Sequence, residues 1–379
     1  MPPGRPGGRR GHCVQVGGCL SGRLLLLGCG SLAREISLAI PLIASRYDDE
    51  LTLMVAARDA GRARWLAQLV RARSFAAGVA LTVRNYKLDW ESVDQMAAMI
   101  TAAAPTVILN TASLQSSWSL TADNAWSRLV RQAGYGVTVA LQSALLPQLG
   151  RALRSSGSPA VVINACYPDV VNAGARRMGV LIRSGIGNIA LVAEMLRQHI
   201  APAGARAIRV LAGHWDVGEL SRPPGERSDY PLVWLNGRRL DCERISGAPP
   251  LAADATLNAF GAGVSAALLC SLATGRSWSG HVPGPLGELG GYPIRLEAGQ
   301  LYYDLPQSET FEAARAWNTD RCERDGAVVE EGTRLRFSAK AAESIRRVAP
   351  ELAAGFDFKD VESAGRAFLE LRDVLEKRS

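Results

Sequence analysis

The order of segments predicts an α/β chain: a doubly wound, mostly parallel sheet followed by a second domain of mixed α+β character. Three observations carry the prediction. Apolar runs alternate with helix-period segments through the first half, and the runs are apolar almost throughout, as strands buried on both faces are. A glycine turn joins the first run to the first helix. Beyond about residue 185 the alternation stops, and helices and a hairpin take over.

The elements follow in order. Leu24-Leu25-Leu26-Leu27 is the first strand, and Leu32 to Ile40 is the amphipathic segment after it. Leu51 to Ala57 is the second strand, ending at Arg58-Asp59, and a helix runs through Arg64, Leu66, Leu69 and Val70. Ala80 to Arg84 reads as a short strand, and Val93 to Ala103 as a helix stopped by Pro105, which cannot continue one. Thr106 to Thr111 and Ala160 to Asn164 are the fourth and fifth strands, and Val180-Leu181-Ile182 a further one. Asn188 to Ile200 is a long amphipathic helix, and Ala207 to His214 a strand that delivers a histidine to its end. Ser221 to Asp229 is a surface loop, and Leu251 to Leu272 a helix with a face of small residues. Tyr292–Glu297 and Gln300–Asp304 form a hairpin around Ala298-Gly299, and helices from Ser338 and Val361 end the chain.

Gly28-Cys29-Gly30-Ser31-Leu32-Ala33 is the most specific stretch. A G-x-G-x-x-A pattern between a strand and a helix is the context of dinucleotide binding. Gly28 permits the tight turn, Gly30 lets backbone N–H groups reach a pyrophosphate, and Ala33 lets the helix pack closely on the strand. The helix N-terminus favours the phosphate charge. This makes the first domain a Rossmann unit whose ligand lies beyond the strand C-termini. The cofactor-binding residues are then Gly28, Cys29, Gly30, Ser31 and Leu32, with Arg58, Asp59, Thr111, Ala112 and Asn164 at the other strand ends. An acid after the second strand accepts the ribose hydroxyls of NAD, and an arginine there pairs with the 2′-phosphate of NADP. With Arg58 ahead of Asp59, the expectation is NADP or NAD, tilted to NADP.

Composition narrows the classes. The net charge of +7 is spread along the chain, with no basic stripe interleaved with aromatics, so a nucleic-acid partner is not expected. No run approaches the roughly 20 apolar residues of a membrane helix, so no membrane partner is expected either. The seven cysteines (13, 19, 29, 166, 242, 270 and 322) form no C-x-x-C pair, which fits a reducing cytoplasm and calls for no metal. Residues 1–22, rich in Gly, Pro and Arg, read as a disordered leader lacking an apolar signal core. The domains are then 1–22 leader, 23–185 Rossmann and 186–379 substrate domain.

Short motifs in this order resemble the lactate/malate dehydrogenase superfamily, which also contains NAD-dependent glycosidases. Asn164-Ala-Cys-Tyr-Pro-Asp169 is similar to the family's Asn-Pro-x-Asp element, with extra residues before the proline. Gly185-Ile-Gly-Asn188 stands where a glycine segment leads into the catalytic-domain helix, and Gly213-His-Trp-Asp216 is similar to the family's histidine motif. The hairpin Gly291 to Asp304 and the terminal helix follow in the family's order, so the likeness spans Arg23 to Val348.

The resemblance implies that His214 takes the hydroxyl proton when a carbinol is oxidised, a task suited to an imidazole titrating near neutrality. Asn188 stands where the family has the carboxylate that orients the ring, and Asp216 is read as a solvated or structural companion. The arginine that grips a substrate carboxylate is missing: Leu191, Val192 and Ala193 fill its region, and the loop Leu114 to Trp118 carries none. A simple 2-hydroxy acid therefore fits poorly, and Trp118 with Tyr167 points to a larger or less charged substrate. In the glycosidase branch a Cys and a His hold a metal; here Gly187 occupies the cysteine place. The expected function is an NAD(P)-dependent oxidoreductase acting on a small molecule, and the resemblance implies a homo-oligomer. The alternatives are an NAD-dependent glycosidase-like enzyme and a non-enzymatic dinucleotide-binding sensor.

Overall fold

The computed structural model describes residues 21–46, 50–200, 207–330 and 332–378. Strands β1 (Ser21–Leu27), β2 (Glu50–Ala57), β3 (Thr82–Lys87), β4 (Val107–Asn110), β5 (Val161–Asn164) and β6 (Ile182–Gly185) form one parallel sheet in the order β3-β2-β1-β4-β5-β6. Helices α1 (Ser31–Ala44), α2 (Ala60–Ala76) and α3 (Val93–Ala103) connect the first four strands. Between β4 and β5 lie α4 (Ala125–Ala133), α5 (Val139–Ser143) and α6 (Leu146–Ser156), and α7 (Pro168–Arg177) precedes β6. Leu24 to Leu27 are fully buried because β1 is central, flanked by β2 and β4 and covered by helices on both faces. The order reverses between β1 and β4, which opens a crevice at their C-terminal ends.

The second half begins with α8 (Ile189–Ile200) and β7 (Ile208–Leu211), then α9 (His214–Leu220), β8 (Leu232–Leu235), β9 (Arg238–Arg239) and α10 (Glu243–Ser246). Helix α11 (Leu257–Thr274) leads into the antiparallel sheet of β10 (Trp278–Pro283), β11 (Gly291–Glu297) and β12 (Gln300–Tyr303). After α12 (Phe311–Arg324) come β13 (Ala327–Val329), β14 (Arg334–Phe337), α13 (Ala339–Arg346), β15 (Phe356–Asp357) and α14 (Val361–Leu375). This last stretch returns to the first half. Arg151 on α6 pairs with Glu362 at 2.6 Å, Arg372 donates to the Leu114 carbonyl, and Ala125 N–H donates to Arg378 O.

Several expected boundaries move. The strand begins at Ser21, so Ser21 and Gly22 belong to β1 and only residues 1–20 of the expected leader lie outside the described residues. Gly22 is needed there, since a Cβ would stand 2.9 Å from the Ala273 backbone on α11. The strand expected at 180–182 is β6, shifted to Ile182–Gly185, and Leu181 is exposed. His214 is not at a strand end but is the first residue of α9, because Gly213 turns the chain and Asp216 Oδ2 accepts its N–H at 2.8 Å. Helix α11 is long and apolar enough to cross a membrane, which corrects the reading that no run approaches that length, yet more than half of that span is buried. It is apolar all round because it is wedged between α1, β1 and α8.

Gly174 on α7 tests this packing. The fully buried Phe358 ring occupies the space that a Cβ at this position would need. Gly174→Ala should destabilise the protein by about 1–3 kcal/mol through overpacking, and Phe358→Leu added to it should recover part of the loss. Urea denaturation of the single and double variants measures both.

Candidate active site

A groove of about 370 Å³ opens where β1 meets α1 and runs past the end of β4. Gly28 has φ +111, and a Cβ there would lie 2.6 Å from Thr111 Oγ1, so only glycine suits the turn. Thr111 Oγ1 donates to the Leu27 carbonyl at 2.9 Å, which locks the neighbouring strand ends together. Gly30 differs. It has φ −70, and apart from its own neighbours along the chain no atom of the described residues lies within 4 Å of where its Cβ would stand. The fold has no need of a glycine at 30; the open groove does. Helix α1 carries no side-chain cap and no acid in its first turn, which leaves its first N–H groups facing this space. Ser31 Oγ accepts a 2.7 Å hydrogen bond from Asn258, on the first turn of α11.

At the β2 end of the groove stand Arg58, Asp59 and Arg62. Asp59 caps α2: its Oδ1 accepts from the N–H groups of Gly61 and Arg62 at 2.8 and 3.0 Å. Arg58 has no hydrogen-bond or ionic partner among the described residues. Cys29 also lines the groove, with burial raising its thiol pKa. Of the expected cofactor residues, Gly28 through Leu32, Arg58, Asp59, Thr111 and Ala112 border this one groove.

Asn164 does not border it. Its side chain is fully buried, and all of its hydrogen-bonding capacity is used inside the protein. Nδ2 donates to Cys166 O and to Asn172 Oδ1, both at 3.0 Å, while Oδ1 accepts from Asn110 Nδ2 and Cys166 N at 3.1 Å. The expected contact of Asn164 with the cofactor is thereby corrected: it joins β4, β5 and α7 and has no atom left for a ligand.

The inner end of the groove is neutral and polar. Ser113, Gln115, Ser117, Trp118, Gln142 and Cys166 line it. Gln115 is buried beneath the loop, and its Oε1 accepts from Trp126 Nε1 at 3.1 Å. Tyr135 links this wall to the histidine. Its hydroxyl lies 2.7 Å from Ser117 Oγ and accepts from Gln142 Nε2 at 2.9 Å, and its ring stacks on the His214 imidazole with centroids 4.3 Å apart.

His214 Nδ1 meets Asp325 Oδ2 at 2.8 Å, and the same oxygen accepts from Tyr167 OH at 2.7 Å. Tyr167 packs edge-on to the imidazole at 5.2 Å. Burial by itself lowers the imidazole's pKa, but the Asp325 and Asp169 carboxylates outweigh it and hold the value above the ordinary one. Asp325 follows α12 and comes close because Gly134 and Gly136 let the chains touch; Gly136 N–H donates to Asp325 O at 2.7 Å.

Asn188 is not the residue that orients the ring. Its amide donates to Asp169 Oδ2, while Asp169 Oδ1 accepts the His214 backbone N–H at 3.1 Å. Asn188 therefore steadies the start of α9, and Asp325 holds the imidazole. Burial pushes Asp169 up to about 6 against the pull of His214 and Asn188. Asp216 is not solvated either. It is fully buried, raised to about 7 by burial, and lies 3.9 Å from Arg321, whose guanidinium is shared with Asp229 and sits over Trp317. Asp325 and Tyr135 carry no motif; the glycines around Tyr135 are the one local signal of a close approach.

No protein-family model matches the chain, and no curated protein matches it. Solved structures do. Malate dehydrogenase from Salinibacter ruber superposes with a TM-score of 0.50 at 12% identity, covering 86% of this chain and 99% of that one. The Cryptosporidium parvum enzyme gives 0.50 at 10% identity over 81% and 98%. The Archaeoglobus fulgidus enzyme, solved in complex with NADH, gives 0.50 at 14% identity over 79% and 98%. The chain has the malate dehydrogenase fold.

Proposed function

We propose that this chain is an NAD(P)-dependent oxidoreductase that moves a hydride between a nicotinamide cofactor and the hydroxyl or carbonyl carbon of a small molecule. The observation that carries the reading is the glycine turn: Gly30 is free of any packing need, beside an uncapped helix start, in a groove at the switch point of the sheet. The residues present fit a dinucleotide. Gly28 through Leu32 would hold the pyrophosphate, and Thr111 and Ala112 would border the chain toward the nicotinamide. Support for the cofactor class comes from the fold shared with a malate dehydrogenase solved with NADH. For the adenosine end, unpartnered Arg58 beside Arg62 favours a 2′-phosphate, since Asp59 already spends one oxygen on capping α2.

When bound, the nicotinamide supplies the hydride acceptor or donor. The chain's own groups handle the proton. In oxidation the substrate hydroxyl passes its proton to His214 Nε2, which makes no hydrogen bond among the described residues. Asp325 keeps the Nδ1 proton in place and stabilises the imidazolium that forms. Tyr135 and Tyr167 pack against the ring and limit its freedom.

Gly30→Val should abolish NAD(P) binding while leaving the melting temperature of the ligand-free protein unchanged, because the new side chain fills only the groove. Fluorescence titration with NADH and NADPH and a thermal melt check the two halves. Unchanged affinity would remove the proposal.

Arg58→Ala should weaken NADPH more than NADH, by roughly the 1.5–3 kcal/mol of a charge-assisted hydrogen bond. Equal losses for both dinucleotides would place Arg58 outside the site.

His214→Asn should lower turnover by about 10²–10⁴ with cofactor affinity unchanged. Oxidation by the wild type should slow as pH falls through the imidazole's raised pKa, since only the neutral ring accepts a proton. Asp325→Asn removes the leading upward influence on that pKa and should move the acidic limb to lower pH while reducing the rate. A pH–rate profile of the three proteins checks the signs.

A further inference from the structure

We infer that the inner wall of the groove selects an uncharged, hydroxyl-bearing substrate, an alcohol or polyol rather than a hydroxy acid, with Gln142 as the residue that accepts its hydroxyl. The inference rests on the oxidoreductase reading and names the substrate class for the same site. Gln142, on α5, is 3% exposed and lines the groove. Both hydrogens of its amide nitrogen are engaged, one by the Gln115 carbonyl at 3.2 Å and one by Tyr135 OH at 2.9 Å. The Gln115 carbonyl fixes the orientation of the amide, since a flip would set oxygen against oxygen. Gln142 Oε1 makes no hydrogen bond among the described residues. It is not among the fully buried unpartnered atoms, so it is open to the groove that Gln142 borders, where a donor can reach it.

Ser117 supplies the complement. Because Tyr135 OH already accepts from Gln142 Nε2, it can give its own proton to Ser117 Oγ at 2.7 Å, an arrangement that leaves the serine's proton available to the groove. An acceptor and a donor side by side match a hydroxyl, which both gives and takes a hydrogen bond. They do not match a carboxylate, which only accepts and would face Gln142 Oε1 in repulsion. Charge points the same way. Among the described residues, the charged side chains bordering the groove are Arg58, Asp59 and Arg62, all at the β2 end, and the inner end has none. Glu194, on the helix after the Gly185 segment, lines a different cavity and pairs with Arg197 at 2.6 Å. Nothing at the inner end repays the desolvation of a carboxylate.

The same pair could instead meet a carboxamide of the cofactor, and the experiment separates the two. Wild type, Gln142→Leu and Ser117→Ala are first titrated with NADH and NADPH. Oxidation of propane-1,2-diol, glycerol and inositol is then compared with that of lactate and malate at saturating cofactor. The expected result is turnover of at least one polyol well above either acid. Both variants should bind cofactor as the wild type does and raise the KM for the polyol about tenfold or more, with a smaller change in kcat. Faster oxidation of lactate or malate, or no oxidation of any polyol by cofactor-loaded wild type, overturns the substrate class. Loss of cofactor affinity in the two variants assigns the pair to the carboxamide and overturns it as well. Failure of the wild type to bind either dinucleotide would instead remove the underlying oxidoreductase reading. Ser117→Ala, at an exposed serine, keeps the test open should Gln142→Leu fail to fold.

Discussion

A chain of buried side-chain amides holds the candidate site together. Asn110 donates to Asn164 at 3.1 Å, Asn164 to Asn172 at 3.0 Å, and Asn172 to the Gly284 carbonyl at 3.1 Å. Four segments meet through these bonds: the ends of β4 and β5, the helix α7, and the turn after β10. Asparagine serves where an apolar residue would not, because each amide both donates and accepts and so satisfies backbone groups that the strand ends leave open. Asn110 Oδ1 takes the Ala112 N–H and Asn164 Oδ1 the Cys166 N–H. From this anchor the chain turns through Tyr167, in a left-handed conformation at φ 43, and Asp169. Those two residues reach Asp325 and the His214 backbone. A buried polar network of this kind fixes geometry when every member is satisfied, and here Asn164 uses all four of its positions.

Electrostatic balance around the imidazole follows from that anchoring. Asp216 in the first turn of α9, Asp169 on α7 and Asp325 after α12 gather at the start of α9. Asp169 and Asp216 are raised by burial to about 6 and about 7, each held back by its own donors or cation. Asp325 contacts the ring directly and shares its oxygen with Tyr167. The carboxylate that steadies the histidine therefore comes from the end of α12, and the helix that follows Gly187 contributes only an amide to Asp169. Arg321 belongs to the same balance, lying between Asp216 and Asp229 with its guanidinium over Trp317.

Helix α11 ties the two halves at the opposite side of the groove. Its small residues let it lie close to α1 and β1, and Asn258 at its start bonds Ser31 in the glycine turn. Among the described residues Asn258, near the turn, is the part of the second half that borders the expected cofactor cleft, while His214 stands behind the inner wall, stacked on Tyr135 of the first half. The histidine does not border the groove itself, so a substrate that meets both must extend from one to the other.

The sequence alone determined the sheet and the turn. Short runs such as Leu24 to Leu27, bounded by a glycine turn and followed by a helix-period segment, read as buried strands, and Gly28-x-Gly30 between strand and helix depends on backbone conformation within a few residues. Local chemistry also marked Asp59 as a strand-end residue, although its capping of α2 appeared only with the helix start in view. The three-dimensional arrangement decided the rest, because the deciding contacts join residues far apart in the chain. Asp325 is 111 positions from His214 and Tyr167 is 158 from Asp325. Nothing near Asn188 in sequence indicates that its amide goes to Asp169 instead of an imidazole. Asn164 stands at a strand end facing a crevice, yet its burial and four satisfied bonds turn it inward. Which polar side chains are consumed by the protein and which remain for a ligand is settled by packing, since a free acceptor such as Gln142 Oε1 exists only when neighbours have claimed the other atoms of the group.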